Sequence, residues 1–464
     1  MTNHHRFLIP ILIFIITISA CTPATPGVTS PTVTSEASVT QESATASPAP
    51  VAVSTLDVDA ESLRGTTVTV WHPWFGPEAS VLELQAAEFN SSNEWGITII
   101  TVGQDNYAEL FSTVSSSLAA PDKPNLVIGL PEHALHWDSQ SGVTDWNPYL
   151  LDPQWGWSAD EIADFDSAFW NQDDVNGKRI GLPAQRTARF IFYNLTWARE
   201  LGFDSPPATP DDFREQACAA NQSFRKNADA SDDGRGGWLV ETDPMSALSW
   251  MLAFGGGASE ADGYRFLRPE NIDAFKFTKS LYDDACAWRA DVIPSEEFAA
   301  RRALFVTGTL EEISAQIRAF STIGNVDEWT TLAFPGETQD AFVVYGSSFV
   351  MLPSTDVEQL ATWLFVRSLL SSENQAQWVE TTGMFPLRNS TLTLLAPYAS
   401  THPQWLAAVK LLPQASFPPR RADWRLVRVA IGDGFTNMFR VNLPSGQVPT
   451  ILAQLDSLVS DLIK

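Results

Sequence analysis

The chain has 464 residues, more than one compact core holds and enough for a tether with two domains. Hydrophobic residues make up 44% and aromatics 11%, which excludes a wholly disordered protein, and 29 Lys and Arg stand against 55 Asp and Glu for a formal charge of −26. That charge argues against nucleic acid or an anionic membrane as the main partner, and three cysteines are too few for a disulfide scaffold or a Cys-based zinc cluster.

His4, His5 and Arg6 make a short basic start, followed by an apolar run over residues 7–16. The run is shorter than the ~20 residues a membrane-spanning helix needs and matches the core of a signal peptide. Ile18-Ser19-Ala20-Cys21 resembles a bacterial lipobox, in which the cysteine thiol takes the lipid. Residues 1–20 are therefore expected to be a lipoprotein signal peptide and Cys21 the lipidation site. An ordinary signal peptide with a chance cysteine is the alternative. Residues 22–62 contain no aromatic residue and no Lys or Arg, so 21–62 reads as a lipidated Ser/Thr/Pro-rich tether. As a random coil of about 40 residues it spans roughly 35 Å.

From Thr66 the pattern changes. Residues 66–71 read as a strand by β-branched content, 78–90 as a helix, 96–102 as a strand, 107–119 as a helix and 125–130 as a strand. Such alternation means a parallel sheet covered by helices, with ligands collecting beyond the carboxyl ends of its strands. Those ends carry Trp71-His72-Pro73-Trp74-Phe75 and Pro131-Glu132-His133. Cys218 and Cys286 fall in two segments of helical pattern, 211–222 and 272–289. In an oxidising compartment an even pair suits a disulfide, with two buried thiols as the alternative. Gly255-Gly256-Gly257 reads as a helix stop, without the spacing of a phosphate loop.

No GxSxG or HExxH motif is present. Glu132, His133 and His136 lack a further metal ligand, and the carboxylate pairs Asp173-Asp174 and Glu311-Glu312 are unremarkable in so acidic a chain. Residues 229–234 resemble the start of a calcium loop, but Val240 stands where the bidentate Glu belongs and Glu241 comes one residue late, so an Asx-type turn is expected. The expectation is no enzyme, no metal and no cofactor. The tryptophans point elsewhere. Trp71, Trp74, Trp238, Trp250, Trp288 and Trp424 fall near loops or element ends, where indoles can stack on the C–H faces of sugars. Glu132, Arg186 and Arg420 supply polar groups for hydroxyls. Core packing is the alternative for each indole.

Several segments match one family in order. Val68-Thr69-Val70-Trp71-His72 resembles its first strand, and Asn176-Gly177-Lys178-Arg179-Ile180-Gly181-Leu182-Pro183 the strand leading into its first inter-lobe crossing. Phe192-Tyr193-Asn194 continues that crossing, and residues 206–213, with Thr209 and Phe213, resemble a helix start. Ala303-Leu304-Phe305 with Gly308, Val344-Tyr345-Gly346, and Thr382-Gly383-Met384-Phe385-Pro386-Leu387-Arg388 resemble later segments. From Thr66 to the end the chain is similar to the family-1 extracellular solute-binding proteins of ABC importers, which include maltodextrin and glycerol-phosphate binders.

The resemblance implies an α/β, two-lobed periplasmic-binding-protein-like fold, each lobe a mostly parallel sheet flanked by helices, hinged by chain crossings. Lobe I would comprise 63–185 plus 350–398, and lobe II 186–349 plus 399–464. Carried over by position, ligand contacts fall to His72, Trp74, Phe75, Glu132, His133, Arg186, Thr187, Tyr345, Ser348 and Trp424. Trp250 and Arg420 join them as a candidate stacking indole and rim cation. Leu310-Glu311-Glu312 departs from the small residue and Met usual in the family. The implied protein is a monomeric, lipid-anchored extracytoplasmic binder that passes a sugar or oligosaccharide to ABC permease subunits. A polyol phosphate or other small anionic solute, clamped by Arg186 and Arg420, is an alternative, as is a cell-surface ligand sensor.

Overall fold

Alternating β-branched residues make Thr67–His72 a strand that buries Val68, Val70 and His72 on one face. In the computed structural model, which describes residues 53–440 and 442–464, this strand is the second of a five-stranded sheet. The signal peptide, Cys21 and the tether up to residue 52 lie outside the described residues. The sheet runs Thr98–Gly103, Thr67–His72, Leu126–Gly129, Ser348–Met351, Leu182–Pro183. Its first three strands are parallel and linked by the helices Pro77–Ser92 and Tyr107–Ser117, as the alternation predicts. Ser348–Met351 runs antiparallel to both its neighbours.

A second five-stranded sheet runs Ala287–Trp288, Trp238–Leu239, Phe305–Gly308, Phe190–Asn194, Trp329–Leu332, and carries the other lobe. Between the sheets, Ala415–Ser416, Phe342–Tyr345 and Thr187–Ala188 form a three-stranded bridge. The chain leaves the first sheet at Pro183 and enters the second at Phe190; it returns through Phe342–Tyr345 to Ser348. The two crossings nearly touch at Gly346. Its φ is +156°, and a Cβ there would lie 2.2 Å from the Gln185 carbonyl oxygen, so only glycine fits.

Two sequence expectations are corrected. The helix predicted over 272–289 ends at Asp283, as Pro269–Asp283; a turn with Ala285 at φ 60° then leads into the short strand Ala287–Trp288. Pairing with Trp238–Leu239, and the Trp288 indole N–H donated to the Gly236 carbonyl at 2.8 Å, outweigh helical continuation. Cys286 therefore sits just before a strand. It is joined by a disulfide to Cys218 of the helix Pro210–Arg225, with Cα atoms 4.3 Å apart.

The second correction concerns the tether, whose last ten residues belong to the body. Asp152 Oδ2 accepts from the backbone N–H of Thr55 at 2.7 Å and from the hydroxyls of Ser54 and Thr55, while Oδ1 accepts from Gln154 and Trp155. Burial works against the charge, yet these backbone donors hold the Asp152 carboxyl down to about 2. A 3-10 turn, Ala60–Leu63, then seats Leu63 fully in the core. Among the described residues no helix is long and apolar enough to cross a membrane.

Candidate ligand-binding site

Beyond the carboxyl end of Leu126–Gly129, Pro131 opens the helix Pro131–Asp138, its fixed φ suited to the first helical position. That turn puts Glu132 at the edge of the first lobe. Opposite stands the helix Trp424–Met438, packed on the helices Pro244–Ala253 and Val448–Leu462 of the second lobe. Between them lies a cavity of about 690 Å³ including its mouth. The first lobe lines it with Leu130, Pro131, Glu132, Leu135 and Gln172. The second lobe and bridge contribute Asp243, Met245, Tyr345, Arg420, Trp424 and Arg428, with prolines 244, 418 and 419 between.

Local structure fixes Trp424. It begins its helix and is 2% exposed, its indole stacked near Tyr264 at 6.2 Å and 21°. Tyr264 donates its hydroxyl to Asp423 at 2.6 Å, and Arg421 grips the same carboxylate with two hydrogen bonds. One turn further, Arg428 reaches across to Glu132, Nε to Oε1 3.4 Å. Burial pushes the Glu132 carboxyl up from its ordinary range while Arg428 pulls it back. Deeper in, Asp243 N-caps Pro244–Ala253 through Oδ1, and its other oxygen lies 3.5 Å from Arg189. Arg189 also bonds Glu241 at 3.0 Å. Burial, with Glu312 and Asp243 nearby, pushes Glu241 up to about 7 against the pull of Arg189.

Of the sequence-predicted residues, Glu132, Tyr345, Arg420 and Trp424 share this cavity. The others lie off its wall. Arg186 is fully buried: it pairs with Asp173 at 2.8 Å and donates to the carbonyls of Gln185 and Ser347. Ser348 donates to Asp173 at 2.7 Å and accepts from Arg186, so both residues are spent on holding the crossings together. Thr187 donates to Glu311 at 2.6 Å, which occupies both the hydroxyl and the first of the two acids that depart from the family pattern. Trp250 is fully buried among Phe213, Trp238, Phe277 and Phe334, in the second lobe's core. His72 is buried at its strand end; Trp74 packs on Trp378 at 4.8 Å and donates to the Tyr107 hydroxyl; Phe75 is 78% exposed. His133 packs against Phe111 and Trp137, and burial, then Arg428 and Arg425, push it down to about 3, so it stays neutral.

Sequence reasoning missed Gln172, Asp243, Met245 and Arg428. Arg428 carried a readable signal, lying four residues after Trp424 on the same helical face. Asp243 before Pro244 announced a helix start but not a cleft. In the loop 229–234, Asp229 accepts from the Ser231 N–H at 2.9 Å, an Asx-type turn. Among the described residues no group of three His, Cys, Asp or Glu is placed to hold a metal.

The fold is shared with solved structures. The cyclic α-maltosyl-1,6-maltose binding protein of Arthrobacter globiformis superposes with a TM-score of 0.70 at 19% identity, over 85% of this chain and 98% of that one. MalE, the sugar-binding protein of Xanthomonas citri, gives 0.69 at 20%, over 86% and 97%. UgpB of Mycobacterium tuberculosis, in complex with glycerophosphocholine, gives 0.69 at 16%, over 86% and 98%. Among curated proteins, a putative binding protein of Brucella abortus is 22% identical over 325 residues, 68% of this chain and 75% of that protein. The family described as bacterial extracellular solute-binding protein matches residues 85–407. With two lobes, a bridge of crossings and a cavity between them, the chain belongs to the bacterial extracellular solute-binding proteins.

Proposed function

We propose that the chain is the substrate-binding lipoprotein of an ABC importer. Exported and anchored through Cys21, it takes a sugar in the cleft between its lobes and delivers it to membrane permease subunits, with no chemistry of its own. The observation that carries this reading is the company Trp424 keeps: a buried indole that nevertheless lines one cavity with Glu132, Asp243, Arg420 and Arg428. An indole face suits the C–H surface of a pyranose, and carboxylates and guanidinium groups suit its hydroxyls. Closure follows from ligand contacts made only when both walls are present, so ligand shifts the population toward the closed state.

A second reading, a small phosphodiester or polyol phosphate, draws support from the two arginines on the wall and from the glycerophosphocholine bound by the Mycobacterium tuberculosis neighbour. The carboxyl groups of Glu132 and Asp243 on the same wall oppose an anion and favour the neutral sugar. A thermal-shift screen against sugars and glycerophosphodiesters tests both readings, since a ligand bound only by the folded state raises the melting temperature. Stabilisation by a sugar is the expected result. Stabilisation by a phosphodiester alone replaces the first reading with the second, and no shift from either class refutes both.

A further inference from the structure

Resting on the carbohydrate reading, we infer that the cleft is built for a ligand of one or two sugar rings and rejects longer oligosaccharides. A pyranose ring gains affinity from a flat apolar face and from hydrogen-bond partners for its hydroxyls. Among the described residues, Trp424 is the one tryptophan on the cavity wall and Tyr345 the one tyrosine. The other indoles expected near a ligand are engaged elsewhere, Trp74 against Trp378 and Trp250 within the second lobe's core. The remaining apolar wall is leucine, methionine and proline, which offers no further stacking platform.

The rim sets the same limit. Arg420, itself on the wall, donates across the cleft to the carbonyl oxygens of Asn171 at 2.8 Å and Asp174 at 3.1 Å. Arg428 faces Glu132 at 3.4 Å, and Arg425 lies over the Phe111 ring at 4.5 Å. These three arginines, from one helix and the turn before it, tie the second lobe to the first, and Arg420 and Arg428 do so on the cavity wall. A chain of three or more rings projecting past that wall must break a tie. A ligand that stays inside keeps all of them, the Arg428–Glu132 pair included. The ligand is therefore short because closure around it and closure of the rim are the same event.

The test is calorimetric titration of the purified full chain with mono-, di-, tri- and tetrasaccharides of several linkages. The tightest member is expected to have one or two rings, with affinity at least tenfold weaker for its three- and four-ring homologues, about what one lost pair of hydrogen bonds accounts for. Affinity that rises with each ring through the tetrasaccharide overturns the inference and leaves the carbohydrate reading standing. Absence of binding at every length refutes that reading, and this inference with it. Arg420→Ala, checked for an unchanged fold by circular dichroism, is expected to shrink the ratio of trisaccharide to monosaccharide Kd about tenfold. A ratio that does not move removes the rim from the account.

Discussion

Arg186→Met separates a ligand contact from a structural clamp, because the two roles predict opposite outcomes. Arg186 and Asp173 are both fully buried and 2.8 Å apart. The guanidinium also donates to the carbonyls of Gln185 and Ser347 and to the Ser348 hydroxyl. Methionine fills much of the volume but leaves the Asp173 carboxylate in the interior without its counter-charge. Breaking such a pair from one side costs about 3–5 kcal/mol, whereas replacing both partners by apolar groups is often neutral. Arg186→Met is expected to lose that amount in urea denaturation, and Asp173→Asn a comparable amount. The double variant should lose clearly less than the sum, since neither charge is then stranded. Ligand affinity of the surviving folded Arg186→Met protein should change by less than threefold. A loss below about 1 kcal/mol together with abolished binding refutes this reasoning and returns Arg186 to the ligand.

Cys218 and Cys286 should yield no free thiol in denatured, unreduced protein. Opening their bridge, which spans 68 residues, should cost up to about 4 kcal/mol of stability, read as a lower urea midpoint. Glu241 sits near 7 when folded against 4.5 in its ordinary state, so the folded protein holds the extra proton between those values. Stability from this group is present below pH 4.5 and falls as pH rises toward 7, by about 1–3 kcal/mol. Glu241→Gln should flatten that slope in melts across the range, and an unchanged slope assigns it to other groups. Cys21→Ser should leave an unprocessed precursor without lipid; mass spectrometry of the membrane fraction showing normal processing rejects the lipobox.

Local chemistry made much of the fold readable. The β-branched run at Thr67–His72 and the helical spacing of Val81, Leu82 and Phe89 need no tertiary information, and both elements lie where the pattern puts them. The two-residue strand Ala287–Trp288 exists only through its partner Trp238–Leu239, so the helical pattern ran past Asp283 unopposed. The site divides the same way. Glu132 follows from its place beyond a strand end and Trp424 from its place at a helix start. Arg186 reads as a rim cation because its partner, Asp173, is one acid among many until the fold brings them together. Trp250 did carry a warning: nearly every residue of Pro244–Ala253 is buried, and a helix apolar on all sides belongs inside.

One solute is expected to bind between the lobes against Trp424, Glu132 and Arg428. Calorimetric titration with the sugar that most stabilises the protein, run on the parent and on the combined variant Trp424→Ala, Glu132→Ala, Arg428→Ala, tests it most directly. The parent is expected to take up one ligand per chain. Each interaction is expected to contribute about 1–2 kcal/mol, so the combined variant should bind at least a hundredfold more weakly while still melting cooperatively. A parent that binds no sugar, or a folded combined variant that binds as tightly as the parent, contradicts it.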